Sequence, residues 1–466
     1  MDHALRLGAN YAEARVQRDS GNTYTLKNGA AEPVNVTRKL GIGIRVIVDG
    51  ALGFASTNSL DRNQLRTTTE SAVRTAKASK RLVTSPIRLS QEKSWEDNWE
   101  ARMKVDVRNV SPEEKYELLF TIEKSLAPES VHVSLPSRIL VFDEDLSEKF
   151  YFNSEGSKLH GFVPRLSLVF FLTAQEPGKG VVQRLHHEAQ SRGWEVVKDW
   201  IPEEIAANDA KMLGRLLRDG VAPPKGEVDM VLGPEVTGII CHESCGHPQE
   251  ADRILGREAA QAGESYLKPD MVGHRIGSEH VTIIDDPTLP NSYGFYLYDD
   301  EGVKTRPRVL IQDGLISAFL QNRETAAELG GVSNGASRAS SYDREPIIRM
   351  ANTYMKPGNH SLEELVEGVG NGVYMKNFME WNIDDRRFNQ RYVGLEAYMI
   401  ENGQITTPLR NPILEITTSG LYGSVDAVGK DVEYAGATCG KGDPQQGAPV
   451  WTGGPPIRVR KIRLGG

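Results

Sequence analysis

Ile42, Ile44, Val46 and Val48 alternate with small and polar residues ahead of Asp49-Gly50. A period of two that ends in Asp-Gly predicts a half-buried antiparallel strand closing in a tight hairpin. Asn28-Gly29 gives a second hairpin signal, after a short helix expected over residues 2–7 and a strand over 11–16. The period then lengthens. Over residues 61–78, Leu65, Ala72, Val73 and Ala76 fall on one side, which predicts a helix. Ser111-Pro112-Glu113-Glu114 is a capping box with proline at the first helical position, and it opens a helix to residue 126 with Leu118, Leu119 and Ile122 as its stripe. Strands are expected over 139–142, 149–152 and 166–173, and a further helix over 202–218 that Gly220 stops.

Val221-Ala222-Pro223-Pro224-Lys225-Gly226 is the strongest linker signal in the chain, and it sets a boundary between residues 1–222 and 223–466. Beyond it the pattern turns β-rich. Hairpins are expected over 309–316 around Asp313-Gly314 and over 397–405 around Asn402-Gly403, with one short helix capped by Ser361 and Glu364 between them. The predicted fold class is α+β: an N-terminal α/β domain of antiparallel strands and helices, followed by a β-rich C-terminal domain. Gly41-x-Gly43 is too short and too far from a helix start to be a dinucleotide fingerprint.

A length of 466 residues exceeds what one core usually serves, which agrees with two domains. The net charge of -8 excludes a general nucleic-acid binder. The one basic cluster, Arg458 to Arg463, alternates with Ile457, Val459 and Ile462, so it reads as a strand whose cations protect an edge. No apolar run approaches a membrane span, and no secretory signal is visible at Met1-Asp2-His3-Ala4. Three cysteines do not make a disulfide scaffold. A cytoplasmic protein with no membrane and no nucleic-acid partner is expected.

Chemistry concentrates in Cys241-His242-Glu243-Ser244-Cys245-Gly246-His247. Val228 to Leu232 before it reads as a buried strand, and Gly233-Pro234-Glu235 as the start of a helix that carries His242 and Glu243 one to two turns in. His-Glu-x-x-x-His is one residue longer than the zincin motif. Residues five apart lie about 140° from one another around a regular helix, too far to share a metal. A π-type turn, closing i to i+5, removes the mismatch. Gly246 is the residue expected to allow that distortion through its backbone freedom. Cys241 and Cys245 read as small buried hydrophobes. Two histidines leave zinc short of a third protein ligand, and Cys241, Cys245, Glu250, Asp252 and the distant Cys439 all remain open by spacing.

The chain resembles the TldD/PmbA family, and its TldD-type zinc metallopeptidase subunits in particular. The resemblance runs through Gly8 to Arg15, Gly41 to Arg45 with Asp49-Gly50 and Gly53-Phe54-Ala55, and His242-Glu243-x-x-Gly246-His247. It continues through Asp299 to Val303, Arg349 to Tyr354 and Cys439-Gly440-Lys441-Gly442. A departure lies at residues 377–385, where many relatives are glycine-rich and this chain reads Asn-Phe-Met-Glu-Trp-Asn-Ile-Asp-Asp.

The resemblance implies that His242, His247 and Cys439 bind one Zn2+, and that Glu243 is the catalytic carboxylate. It implies a β-rich zinc metallopeptidase domain over residues 223–466, acting on flexible or unfolded peptides such as leader segments or short regulatory proteins. It also implies a two-subunit assembly, either a homodimer or a heterodimer with a TldE/PmbA-like subunit lacking the motif. Two other readings stand beside it. One is a closed structural zinc site made by Cys241, His242, Cys245 and His247. The other is a non-enzymatic scaffold subunit of such a complex.

Overall fold

In a computed structural model, residues 1–128, 133–258 and 263–465 are described. The N-terminal half is built on long antiparallel strands: β1 (Tyr11–Lys27), β2 (Ala30–Ala31), β3 (Asn35–Val48), β4 (Ala51–Thr57), β5 (Glu96–Glu100), β6 (Ser134–Asn153), β7 (Lys158–Glu176) and β8 (Gly180–Gln190). They form one eight-stranded sheet in the order β4-β3-β1-β6-β7-β5, with β2 on β1 and β8 on β7. All neighbours are antiparallel except β5 with β7. The two expected hairpins are present, with Asn28-Gly29 and Asp49-Gly50 all at positive φ, as a tight primed turn requires.

The helices of this half are α1 (Asp2–Arg6), α2 (Arg62–Ser79), α3 (Pro112–Ser125), α4 (Val196–Trp200) and α5 (Pro202–Asp219). Asp61 caps α2, and Ser111 with Glu114 forms the capping box of α3. Two separate cores result. One lies between α2 and the β1–β3 end, the other between α3, α5 and the long strands.

Beyond Val221, β9 (Glu227–Leu232) sits inside a nine-stranded sheet, parallel to the strand Asn371–Met375 and antiparallel to Ile457–Gly465. A six-stranded sheet carries Asn352–Met355, Gln446–Gly454 and Glu433–Lys441 side by side. Helix α6 (Pro234–Cys241) runs from the end of β9 onto the strand Gln446–Gly454. The approach is close: a Cβ on Gly238 would meet the Gly453 nitrogen at 2.9 Å. The strand Ile457–Gly465 is not an edge. Its other side pairs with Ile413–Thr417 and Val425–Val428, and two of its arginines are neutralised, Arg458 and Arg460 by Asp426 and Arg460 also by Asp229.

The two halves meet through buried charge. Arg45 pairs with Glu13 at 2.8 Å and with Glu301 at 2.6 Å, all three being buried. Gly41 and Gly43 have no room for a side chain because Tyr342 lies against both. Arg45→Ala would leave two carboxylates buried without their cation, at a cost of about 3–5 kcal/mol. Urea unfolding should show the midpoint fall accordingly, and an unchanged midpoint would contradict the structural role given to Arg45.

Candidate metal centre

At the end of α6 the helix changes pitch. Residues His242–Gly246 form a π-helical turn, and the backbone N–H of His247 donates to the carbonyl of His242, five residues back. This closure brings His247 onto the same side as His242, the two rings edge to face with centroids 4.9 Å apart. Gly246 contributes in another way than its backbone freedom. Its φ of -57° and ψ of -60° are ordinary helical values, open to any residue. A Cβ there would collide with the Met350 sulfur, so the glycine makes room for a neighbour rather than relieving strain. Gly246→Ala should therefore destabilise the fold by about 1–3 kcal/mol and weaken metal binding. Adding Met350→Ala should recover much of the loss in a thermal melt. No recovery would return the explanation to the backbone.

The third group arrives from far along the chain. Cys439, on the strand Glu433–Lys441, places its Sγ 3.3 Å from His242 Nε2 and 3.2 Å from His247 Nε2. The three donor atoms lie within 4.8 Å of one another, and all three residues are buried. A tetrahedral ion with bonds of about 2.0–2.3 Å places its donors about 3.3–3.6 Å apart, so the spacing fits zinc.

The electrostatics agree. Burial pushes the Cys439 thiol up, but His247 and the Arg349 guanidinium outweigh it and bring it down to about 7. Burial lowers His242, which favours the neutral imidazole a metal requires. Cys241 and Cys245 are raised by burial and stay protonated within the C-terminal core. Among the described residues, no other group of histidine, cysteine and carboxylate side chains converges in this way.

Glu250 and Asp252, open as ligands by spacing, stand behind the cluster. Glu250 Oε2 lies 3.0 Å from His247 Nδ1, leaving Nε2 to face the donors. This is the carboxylate–histidine support common to metal sites. Glu250 is in turn held by Arg253 at 2.7 Å and Lys441 at 3.3 Å, and Lys441 reaches Asp252 at 2.8 Å. Burial would raise the Glu250 carboxyl, yet Lys441, His247 and Arg253 hold it well below the usual carboxylate range. Lys441, two residues after Cys439, thus ties the thiol's strand to the histidine's support. Arg349 holds the thiol's strand and the strand paired with it, donating to the backbone carbonyl of Cys439 on one and of Gln446 on the other.

Glu243 is buried beside the cluster. Burial raises its carboxyl, but His247, His242 and Arg387 outweigh this, and it is held below the ordinary carboxylate value. Arg387 Nη1 donates to its Oε2 at 2.6 Å, and Trp381 Nε1 to its Oε1 at 3.2 Å. Sequence reasoning missed both. They lie in or just past the segment that departs from the glycine-rich pattern, 138 and 144 residues along the chain from Glu243, where no spacing links them to it.

Models of the PmbA/TldA metallopeptidase family match the chain in three parts: domain 1 over residues 12–81, the central domain over 106–217 and the C-terminal domain over 225–466. A metalloprotease of Methanocaldococcus jannaschii is 32% identical over 98% of this chain and 98% of its own. A zinc metalloprotease TldD homolog of Saccharolobus solfataricus is 30% identical over 99% of this chain and 98% of its own. The crystal structure of TldE from Thermococcus kodakarensis matches with a TM-score of 0.75, covering 100% of this chain and 98% of that one at 18% identity, a likeness of fold alone. The C-terminal match takes in His242, His247 and Cys439 and more than half of the chain. The protein therefore belongs to the PmbA/TldA metallopeptidase family, the TldD/PmbA family that its motifs resemble.

Proposed function

We propose that this chain is a zinc-dependent peptidase that hydrolyses flexible or unfolded peptides, with His242, His247 and Cys439 as protein ligands and Glu243 as general base. The observation that carries this reading is the convergence of two imidazoles and a thiol of lowered pKa beside an ionised, buried carboxylate. Three protein donors leave one tetrahedral position open, as catalytic zinc sites do. Zinc in such a site supplies Lewis acidity and lowers the pKa of a water. Glu243 takes the proton of the attacking water and later delivers it to the leaving amine. Glu250 and Lys441 fix His247, and Arg349 fixes Cys439, so the donors are set before any ion arrives. The closed structural alternative would need Cys241 and Cys245, whose thiols are committed to the core.

An extended substrate can add to the strand Phe378–Ile383, which pairs on one side only among the described residues and carries Trp381 to Glu243. Backbone pairing of that kind tolerates many sequences and requires an unfolded chain. That suits leader segments and short regulatory proteins. A two-subunit assembly, with itself or with a TldE/PmbA-like subunit, is part of the proposal, and the likeness to TldE supports it. A cytoplasmic setting agrees with three free cysteines. The test uses the protein isolated from its own cells with any subunit that co-purifies, loaded with zinc. It should cleave a disordered peptide and spare the same sequence inside a folded domain. No cleavage of either, with zinc bound, would favour the scaffold reading instead.

A further inference from the structure

Glu243 is held from a hairpin tip that is itself firmly fixed. The strands Phe378–Ile383 and Asn389–Gly394 are joined by residues 384–388. Asp384 accepts from the backbone nitrogens of Phe388 at 2.7 Å and Asn389 at 3.1 Å. The backbone of Tyr266 donates to the Arg386 carbonyl and that of Thr418 to the Phe388 carbonyl, so the tip is tied to the body on both flanks. The Thr418 hydroxyl donates to the Arg387 carbonyl at 3.2 Å. Within this frame Arg387 has a φ of +63°, a left-handed conformation that costs a non-glycine residue on the order of 1 kcal/mol. The surroundings hold it there, and its side chain is carried to Glu243.

The guanidinium has five N–H donors in a rigid fork. One, on Nη1, goes to Glu243. Nε is buried and has no hydrogen-bond partner among the described residues. The side chain is still 13% exposed, so a ligand can bring an acceptor to a guanidinium N–H that Glu243 does not use. The acceptor a peptide brings to Glu243 is the carbonyl oxygen of the bond whose water Glu243 deprotonates. Each oxygen of Glu243 has two lone pairs, so the contacts from Arg387 and Trp381 still leave room for that water.

The geometry points to Arg387 as a catalytic residue that binds the carbonyl oxygen of the scissile peptide bond and stabilises the negative charge formed there. This inference rests on the peptidase reading. In the step itself, the water oxygen bonds to the carbonyl carbon and its proton passes to Glu243. The carbonyl electron pair moves onto the oxygen, where the free edge of Arg387 meets it. When the C–N bond breaks, the pair returns and Glu243 gives its proton to the amine. A fixed donor aimed at developing charge contributes about 10²–10³ in rate.

The experiment measures binding of a phosphinic peptide, whose phosphorus oxygens imitate the tetrahedral carbon, to the zinc-loaded protein with its co-purifying subunits. Arg387→Ala should weaken that binding by roughly 10²-fold, with zinc content kept. Affinity for the uncleaved peptide, read in the Glu243→Gln background, should change little. Arg387→Lys should restore part of the phosphinic affinity. The deciding comparison adds Arg387→Ala to Glu243→Gln. A further roughly 10²-fold loss shows that Arg387 touches the ligand. No further loss shows that it acts only by positioning Glu243, which overturns the proposal. Failure of the wild-type protein to bind the phosphinic peptide would remove the peptidase reading itself, and the proposal with it.

Discussion

Glu243→Gln is expected to retain a full complement of zinc while its cleavage rate falls by about 10²–10⁴, the range for removing a general base. The glutamine keeps the shape and one oxygen, so the contact with Arg387 or Trp381 can persist, but it cannot take the proton of water. Folding and peptide binding should survive, and an unfolded peptide should remain bound uncleaved. The check is metal content, peptide affinity and turnover measured on the same preparations of both proteins. Cleavage at near the wild-type rate would remove Glu243 from the chemistry. Loss of zinc together with activity would make it a part of the metal site.

How this site could be seen in advance depended on distance along the chain. The break in helical pitch was legible, because two histidines five apart after a predicted helix start cannot share an ion on a regular helix. The reason for Gly246 was not legible, since Met350, which needs the space, lies a hundred residues away on another element. Cys439 offered only a lone thiol among glycines, a local signal that did not choose it over the other candidates. Its convergence on His242 depends on the strand pairing of Cys439 with Ala448 and on Arg349 and Lys441. Resemblance supplied it where spacing left five candidates open. Arg387 and Trp381 were hidden for the same reason.

The fold shows a parallel limit. Hairpin turns and capping boxes are local devices and were placed correctly, as at Asp49-Gly50 and Ser111. The long strands were cut short or missed. Strand β1 was expected only over residues 11–16 but continues to Lys27, and β6 was expected in two pieces around Asp143-Glu144-Asp145. Those polar runs lie within strands because their charges are met from elsewhere, Glu144 by Lys115 at 2.7 Å and Asp19 by Ser147 at 2.8 Å. A period-two hydrophobic test cannot see a partner supplied by another strand or helix. Motif residues Glu13, Arg45 and Glu301 were likewise legible as a pattern, and the structure places them between the two halves rather than at the metal centre.

The second large effect is expected from the ligands. Replacing His242, His247 or Cys439 singly removes one of three protein donors from a site whose other walls are fixed. Zinc affinity should fall by more than about a hundredfold, since loss of a supporting outer partner alone costs 10–100-fold. Cys241→Ser and Cys245→Ser should leave zinc content nearly unchanged, because both thiols are kept protonated in the core. Glu250→Gln should fall between these extremes, since it loosens His247 without removing a donor.

The most direct measurement replaces zinc with cobalt and follows the visible spectrum of the wild-type protein and its cysteine variants. A tetrahedral ion with one thiolate, two imidazoles and one exchangeable position should give a single-thiolate charge-transfer band that shifts when a small anion enters. That band should vanish in Cys439→Ser and persist in Cys241→Ser and Cys245→Ser. A band with the intensity of two thiolates, insensitive to anions and lost in Cys245→Ser, would show a closed structural site and contradict this account.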